Sequence, residues 1–214
     1  MFEKVLSKDA KQSLALLGKS GILRPAYLAG GTALALQVGH RYSYDFDFFV
    51  RGAFDEEVFV QKIGELLPNF KLERKSWGTI LGYLGNTRFS LFFYNYPLLF
   101  NTYRFLEVDI ADIRDIASMK IAAIAARGTK RDFIDLYFIF AETKKLTLKE
   151  ALMLYDKKFR SFKQNKVHIL KSLVYFDDAE KDALPRMIKP VNWSDVKKFF
   201  ISEQKIINKK ILGI

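Results

Sequence analysis

"YLAGGTALALQVGHRYSYDFDFFV", Tyr27 to Val50, is the stretch on which the fold turns. It begins as a short apolar run stopped by two glycines, which reads as a strand and a tight turn. "TALALQV" then reads as a helix, with Thr32 placed to cap its start and Gly39 to end it. "SYDFDFFV" alternates with period two and is rich in aromatics, so it reads as a second strand. Residues i and i+2 of a strand face one side, so Asp45 and Asp47 share a face while Phe46 and Phe48 point into the core.

Two carboxylates on one face repel, and that costs stability unless a cation sits between them. Mg²⁺ meets the need, because it takes one or two carboxylates together with substrate phosphate oxygens and supports in-line transfer to phosphorus. A lone Asp-x-Asp also reads as a polar strand edge. The glycines add a second observation. Gly30 and Gly31 follow a strand and open a helix, so backbone N–H groups and the positive end of the helix dipole face an incoming anion. The order strand, Gly-Gly-Thr, helix, twelve residues after Thr32 and then Asp-x-Asp puts a triphosphate cradle beside a metal-binding pair.

Outward from this stretch, residues 3 to 18 read as an amphipathic helix, and "FDEEVFVQKIGELLPNF" as a second one with acids in its first turn and Pro68 at its close. "KLERKSW", "TILGYLG", "RFSLFFYNY" and "YRFLEVDI" are four strand candidates separated by glycines and Asn86. From Asp112 the pattern becomes helical to the end, with a break near "RGTK". The expectation is an α/β chain: a mixed sheet flanked by helices over residues 1–115, then a basic helical domain over 116–214.

Composition narrows the chemistry. The 214 residues are 50% hydrophobic and contain no cysteine, which excludes disulfides, thiolate zinc sites and cysteine nucleophiles. The two histidines, His40 and His168, offer little for a histidine metal site, and neither is given a central role. No apolar run of about 18 residues spans a membrane, and the charged N-terminus does not read as a signal peptide, so a cytoplasmic protein without a membrane partner is expected. The net charge of +11 suits a polyanionic partner such as nucleic acid, or simply good solubility. Residues 141–214 carry 17 Lys and Arg against 9 Asp and Glu, so most of the excess lies in the second half.

That half holds a second constellation. From Ile116 to Ala126 the only charge is Lys120, set among Ala, Ile and Met. A lysine in so apolar a helix needs an acidic partner or a phosphate; the bland reading is a side chain that snorkels at a domain interface. Arg127 lies seven residues on, on the same helical face. Asp132 and Asp135, at i and i+3, share a face of the next helix. Asp132 fits a capping box begun by Thr129, whereas Asp135, followed by "LYFIF", needs a base or a substrate group to hold.

"LAGGT" and "YDFDFF" resemble the nucleotidyltransferase superfamily related to polymerase beta, whose pattern is hydrophobic-Gly-Gly/Ser, a spacer of this length and Asp-hydrophobic-Asp/Glu. With "HRYSYDFDFF", "YPLL" and "DIASMKIAAIAARGTKRDFIDLY", the chain is similar to the AbiEii/AbiGii toxin-type nucleotidyltransferases of abortive-infection and type IV toxin–antitoxin pairs, over Tyr27 to Tyr137. The resemblance implies a nucleotidyltransferase-type fold, an NTP bound with Mg²⁺, and transfer of a nucleoside monophosphate to an acceptor. It implies that Gly30, Gly31 and Thr32 form the nucleotide loop, with Arg41 and Ser43 near the triphosphate. Asp45 and Asp47 would be the metal pair, Lys120 the lysine on the nucleotide phosphates, and Asp132 and Asp135 the final acidic motif.

The function expected is a toxin that modifies RNA, the tRNA 3′ end above all, blocks translation, and is neutralised by a separately encoded antitoxin. Transfer to a protein or a small molecule, or a degenerate site that only binds nucleotide or RNA, are the alternatives. One departure stands out: relatives of polymerase beta often carry a third carboxylate on a later strand, where "RFSLFFYNYPLL" has Asn95 and no acid. Asp109 is the nearest acidic strand residue, although "EVDIAD" reads more simply as a lead into the next helix; Asp132 or Asp135 is the other way to complete the set.

Overall fold

The computed structural model describes residues 1–160 and 166–212 and divides into two units, Met1–Asp112 and Ile113–Ile214. Among the described residues no helix is long and apolar enough to cross a membrane.

The first unit is a mixed seven-stranded sheet with helices. Its strands are β1 (Ala26–Ala29), β2 (Asp45–Val50), β3 (Phe70–Ser76), β4 (Thr79–Leu84), β5 (Thr87–Phe93), β6 (Tyr103–Phe105) and β7 (Val108–Ile110), in the order β3-β4-β5-β2-β1-β7-β6. β2 runs parallel to β5 and β1 parallel to β7, while the other pairs are antiparallel. The helices are α1 (Lys8–Ser20), α2 (Gly30–Val38) and α3 (Glu56–Leu66). The mixed sheet flanked by helices is the architecture expected of the sequence.

Period two in β2 decides which face meets the core. Phe46 and Phe48 are fully buried, and Phe48 meets Phe89 of β5 with ring centroids 5.6 Å apart. Phe59 of α3 stacks on Phe89 at 6.4 Å, and Phe70 approaches the same ring edge-on at 6.0 Å. Each buried phenylalanine contributes about 1.5–3 kcal/mol through the apolar area it removes from water. The opposite face of β2 presents Asp45 and Asp47.

The second unit is helical: α4 (Ile113–Ala126), α5 (Lys130–Ala141), α6 (Leu148–Lys158), α7 (Lys166–Ser172), α8 (Asp177–Glu180) and α9 (Trp193–Leu212). Gly128, at φ +53°, makes the turn between α4 and α5. The Phe133 ring lies among Phe176, Trp193 and Phe200, with centroids 5.1, 6.0 and 5.3 Å away. Lys158 of α6 reaches Asp115 of α4 at 2.8 Å, with both side chains wholly buried. An ion pair so placed holds two helices in one register, because removing either charge takes from the other, desolvated one its ion-pair partner.

Three local readings are corrected. The N-terminal segment is a single 3-10 turn, Glu3–Val5, followed by α1; Ser7 interrupts the pattern because its side chain caps α1 through the Ala10 N–H. "YRFLEVDI" is not one strand but a hairpin of β6 and β7, turned by Leu106 and Glu107 at φ 49° and 62°. Thr32 does not cap α2. That helix begins at Gly30 after Ala29, and Thr32 lies inside it with its hydroxyl turned to the chain before β2. Of the basic residues counted in the second half, Lys163 lies outside the described residues, as do Gly213 and Ile214 at the end of the helical pattern.

Candidate active site

Among the described residues, each unit carries one of the polar clusters that the sequence singles out. The first grows from the junction of β1 and α2. β1 is four buried residues, and its register sets Ala29 opposite Asp47 of β2. The chain then turns into α2 through Gly30 at φ +68°, a conformation that disfavours any side chain. A Cβ on Gly30 would stand 2.7 Å from Asp47 Oδ2, so the carboxylate occupies the space a side chain would need. Gly30 is thus doubly required: for its backbone, and for the approach of Asp47 to the start of the helix.

Thr32, Arg41 and Ser43 hold the segment between α2 and β2. Thr32 Oγ1 donates to the Asp45 carbonyl, and a hydrogen bond of 2.7 Å joins the hydroxyls of Thr32 and Ser43. Arg41, buried, donates from Nη1 to the Tyr42 carbonyl at 3.0 Å and to Ser43 Oγ at 3.4 Å. Ser43 N–H reaches the Val5 carbonyl at 3.2 Å, which fastens this segment to the N-terminal turn. Gly30, Thr32, Arg41, Ser43, Asp45 and Asp47 are therefore brought together by adjacent elements and short polar links; Gly31 follows in the first turn of α2.

The sheet itself sets no third carboxylate beside the pair. β5, parallel to β2, sets Arg88 beside Asp45 and Ser90 beside Asp47, so the neighbouring strand supplies no acid. Asn95 follows the end of β5 rather than lying in it. Asp109 is within β7, opposite Tyr27 and two strands from β2, and its carboxylate faces Arg104 at 3.8 Å. It is therefore neither a lead into α4 nor part of the Asp45–Asp47 pair. Among the described residues no group of three or more His, Asp or Glu gathers as a metal cage. Two carboxylates on one strand face, one of them against the glycine that opens α2, fit the donor set of Mg²⁺, which takes one or two carboxylates and completes its shell with substrate oxygens and water.

The second cluster is an ionic knot between α4 and α5. Lys120 Nζ lies 2.8 Å from Asp132 Oδ1 and 2.6 Å from Asp135 Oδ2, and all three side chains are buried. Arg127 comes down on Asp132 from the helix end, with Nε 3.0 Å from Oδ2 and Nη2 3.3 Å from Oδ1. Thr129, which caps α5, donates its hydroxyl to Asp132 Oδ2 at 2.6 Å. Burial pushes the Asp132 carboxyl up, but the Lys120 charge and the Arg127 hydrogen bond outweigh it and lower the pKa to about 2. Asp132 is thus both a partner of the cap and an ion-pair acceptor, and Asp135 has the base its position required.

Sequence reasoning placed Arg127 on the right face without naming its acid; its spacing of five residues from Asp132 across a single turn was the available signal. The Asp115–Lys158 pair went unread, because the two lie 43 residues apart in patterns that look like ordinary helix starts and ends. Ser90 carries no sequence signal at all; only strand register identifies it.

Comparison with known proteins agrees with this architecture. The family described as nucleotidyl transferase AbiEii toxin, type IV TA system, matches residues 14–81 and 90–206. An uncharacterized Aquifex aeolicus protein, aq_aa25, is 40% identical over 201 residues, covering 91% of this chain and 94% of its own. Among solved structures, a candidate nucleotidyltransferase from Helicobacter pylori is similar with a TM-score of 0.54 at 18% identity, over 97% of this chain and 98% of that one. MenT4, the nucleotidyltransferase toxin Rv2826c of Mycobacterium tuberculosis H37Rv, is similar with a TM-score of 0.53 at 15% identity, over 92% and 82%. At these identities the two structural likenesses speak for the fold.

Proposed function

We propose that this chain, which belongs to the AbiEii nucleotidyl transferase toxin family of type IV toxin–antitoxin systems, transfers a nucleoside monophosphate from an NTP to an RNA acceptor. The 3′ end of tRNA is the acceptor favoured, with arrest of translation as the consequence and a cognate antitoxin as the partner. The observation that carries the reading is the contact between Gly30 and Asp47, which sets a carboxylate against a glycine at a helix start. That arrangement suits a triphosphate: backbone N–H groups and the helix dipole receive its oxygens, and the adjacent acids receive its cation.

In this reading Gly30, Gly31 and Thr32 form the phosphate loop. Thr32 and Ser43 brace it against β2, and Arg41 stiffens the segment that leads into the metal strand. Asp45 and Asp47 would hold Mg²⁺, which when bound neutralises phosphate charge and orients the triphosphate. Lys120 offsets negative charge on the transferred and departing phosphates. Asp132 and Asp135 fix that ammonium in place. With its pKa near 2, Asp132 is too weak a base to take a proton near neutrality. In this reading its work is positioning, through its contacts to Lys120, Arg127 and Thr129.

Incubation of the protein with each labelled NTP, Mg²⁺ and total tRNA tests the proposal. Label on tRNA supports it. Label on the protein itself or on a small molecule replaces the acceptor, and nucleotide binding with no transfer to any acceptor reduces the chain to a binder.

A further inference from the structure

The second unit contains a cleft that the catalytic reading does not use. It has a volume of about 320 Å³ and is formed where the C-terminal end of α4 faces α7 and the turn after it. Arg127, Gly128, His168, Lys171 and Tyr175 line it. His168 donates from Nε2 to the Ala125 carbonyl at 3.3 Å, which ties the imidazole to the last turn of α4. Asp178, on the rim, is engaged by Lys181 at 3.0 Å.

Charge in this region is not spread evenly. Several lysines of the helical unit are taken up by acids: Lys158 by Asp115, Lys166 by Asp156, Lys189 by Glu142 and Lys197 by Glu180. Lys171, exposed, has no carboxylate partner among the described residues. Tyr175, one turn further on, is 54% exposed although it is a large aromatic. An ammonium, an imidazole and an open aromatic ring around one cleft are the parts with which proteins hold single-stranded nucleic acid: cations for phosphates, a ring face for a base.

We infer that this cleft is a docking subsite for a single-stranded segment of the RNA acceptor, with Lys171 on a phosphate and Tyr175 stacked on a base. The inference rests on the proposal that the acceptor is RNA, and it adds where an unpaired strand is gripped. Neither residue belongs to the machinery assigned above, so chemistry and acceptor docking separate in a test.

The test uses the full chain with a fluorescent single-stranded oligoribonucleotide, read by anisotropy across a salt series, beside NTP binding and label transfer to tRNA. Lys171→Gln is expected to weaken RNA binding and to lower the slope of log affinity against log salt by about 0.7, the share of one phosphate contact on a single strand. Tyr175→Ala is expected to lose about tenfold in affinity, and Tyr175→Phe to retain it, since stacking needs the ring and not the hydroxyl. NTP binding and the thermal midpoint stay unchanged in all three. Wild-type RNA affinity and salt slope in Lys171→Gln and Tyr175→Ala, in a protein that does label tRNA, overturn the cleft and leave the RNA acceptor standing. A wild-type protein that neither binds nor labels RNA overturns both, and a parallel loss of NTP binding in the variants overturns the cleft as an acceptor site.

Discussion

The Asp47 carboxylate lies in the space that a side chain on residue 30 would fill: Oδ2 is 2.7 Å from where a Gly30 Cβ would stand, and Gly30 holds φ at +68°. The start of α2 and the acidic face of β2 are therefore one piece of structure. A change at the glycine acts on the carboxylate.

Gly30→Ala is accordingly expected to damage the site twice. The left-handed backbone and the clash together cost about 1–3 kcal/mol, read as a drop in denaturation midpoint, and NTP affinity falls at least tenfold as Asp47 is pushed away. Calorimetric titration with NTP and Mg²⁺ at a temperature where the variant is folded measures the second effect. Affinity equal to wild type would show that the Gly30–Asp47 contact does not shape the nucleotide site.

Asp45→Ala and Lys120→Ala are both expected to abolish transfer, but they differ in stability. Asp45 is a half-buried strand residue, and its loss leaves the core rings untouched. Lys120 answers two buried carboxylates, so its removal takes an ion-pair partner from both, Asp132 keeping Arg127 and Thr129, and costs about 3–5 kcal/mol. Urea unfolding of the two variants separates them: a large drop in midpoint for Lys120→Ala and little for Asp45→Ala. Equal midpoints would mean that the knot around Lys120 contributes nothing to the fold.

The same knot sets a pH dependence. The folded pKa of Asp132 lies near 2, below its ordinary 3.8, so its stabilisation is complete above about pH 4 and is lost as pH falls through 2. The shift corresponds to about 2 kcal/mol. The stability difference between wild type and Asp132→Asn is expected to be flat from pH 7 to 5 and to shrink below pH 4. A difference that persists unchanged to pH 3 and below contradicts the ionised pair.

For Asp115 and Lys158, single replacement and double replacement have opposite expectations. Lys158→Met alone leaves a wholly buried carboxylate and costs about 3–5 kcal/mol, whereas Asp115→Leu with Lys158→Met comes within about 1 kcal/mol of wild type or exceeds it. A double-mutant cycle by chemical denaturation reads the coupling, and additive losses would remove the pair from the packing of α4 on α6.

How far the sequence discloses this molecule depends on whether a signal is local. The period-two pattern of "DFDFF" put Asp45 and Asp47 on one face because strand alternation needs no partner to be read, and Phe46 and Phe48 are indeed in the core. Lys120 announced itself as the only charge between Ile116 and Ala126. Thr32 was misread because capping statistics favour threonine at a helix start, yet glycine at positive φ opened the helix two residues earlier and left the hydroxyl for Ser43 and the Asp45 carbonyl. "YRFLEVDI" concealed a turn because Leu106 and Glu107 take positive φ without the glycine or asparagine that normally marks it. Ser90 beside Asp47 and Lys158 on Asp115 are matters of register and packing between distant segments, which no local pattern encodes.

The central claim is that the Asp45–Asp47 face and the Gly30 turn load an NTP for transfer to RNA. The most direct measurement is the transfer of α-³²P label from each NTP to total tRNA, with Mg²⁺ and with chelator, by the wild-type chain and by Asp45→Ala and Asp47→Ala. Labelled tRNA from the wild type with Mg²⁺, and none from either variant or in chelator, is the predicted result. Equal labelling by either variant, or no labelled RNA with any NTP, would contradict it.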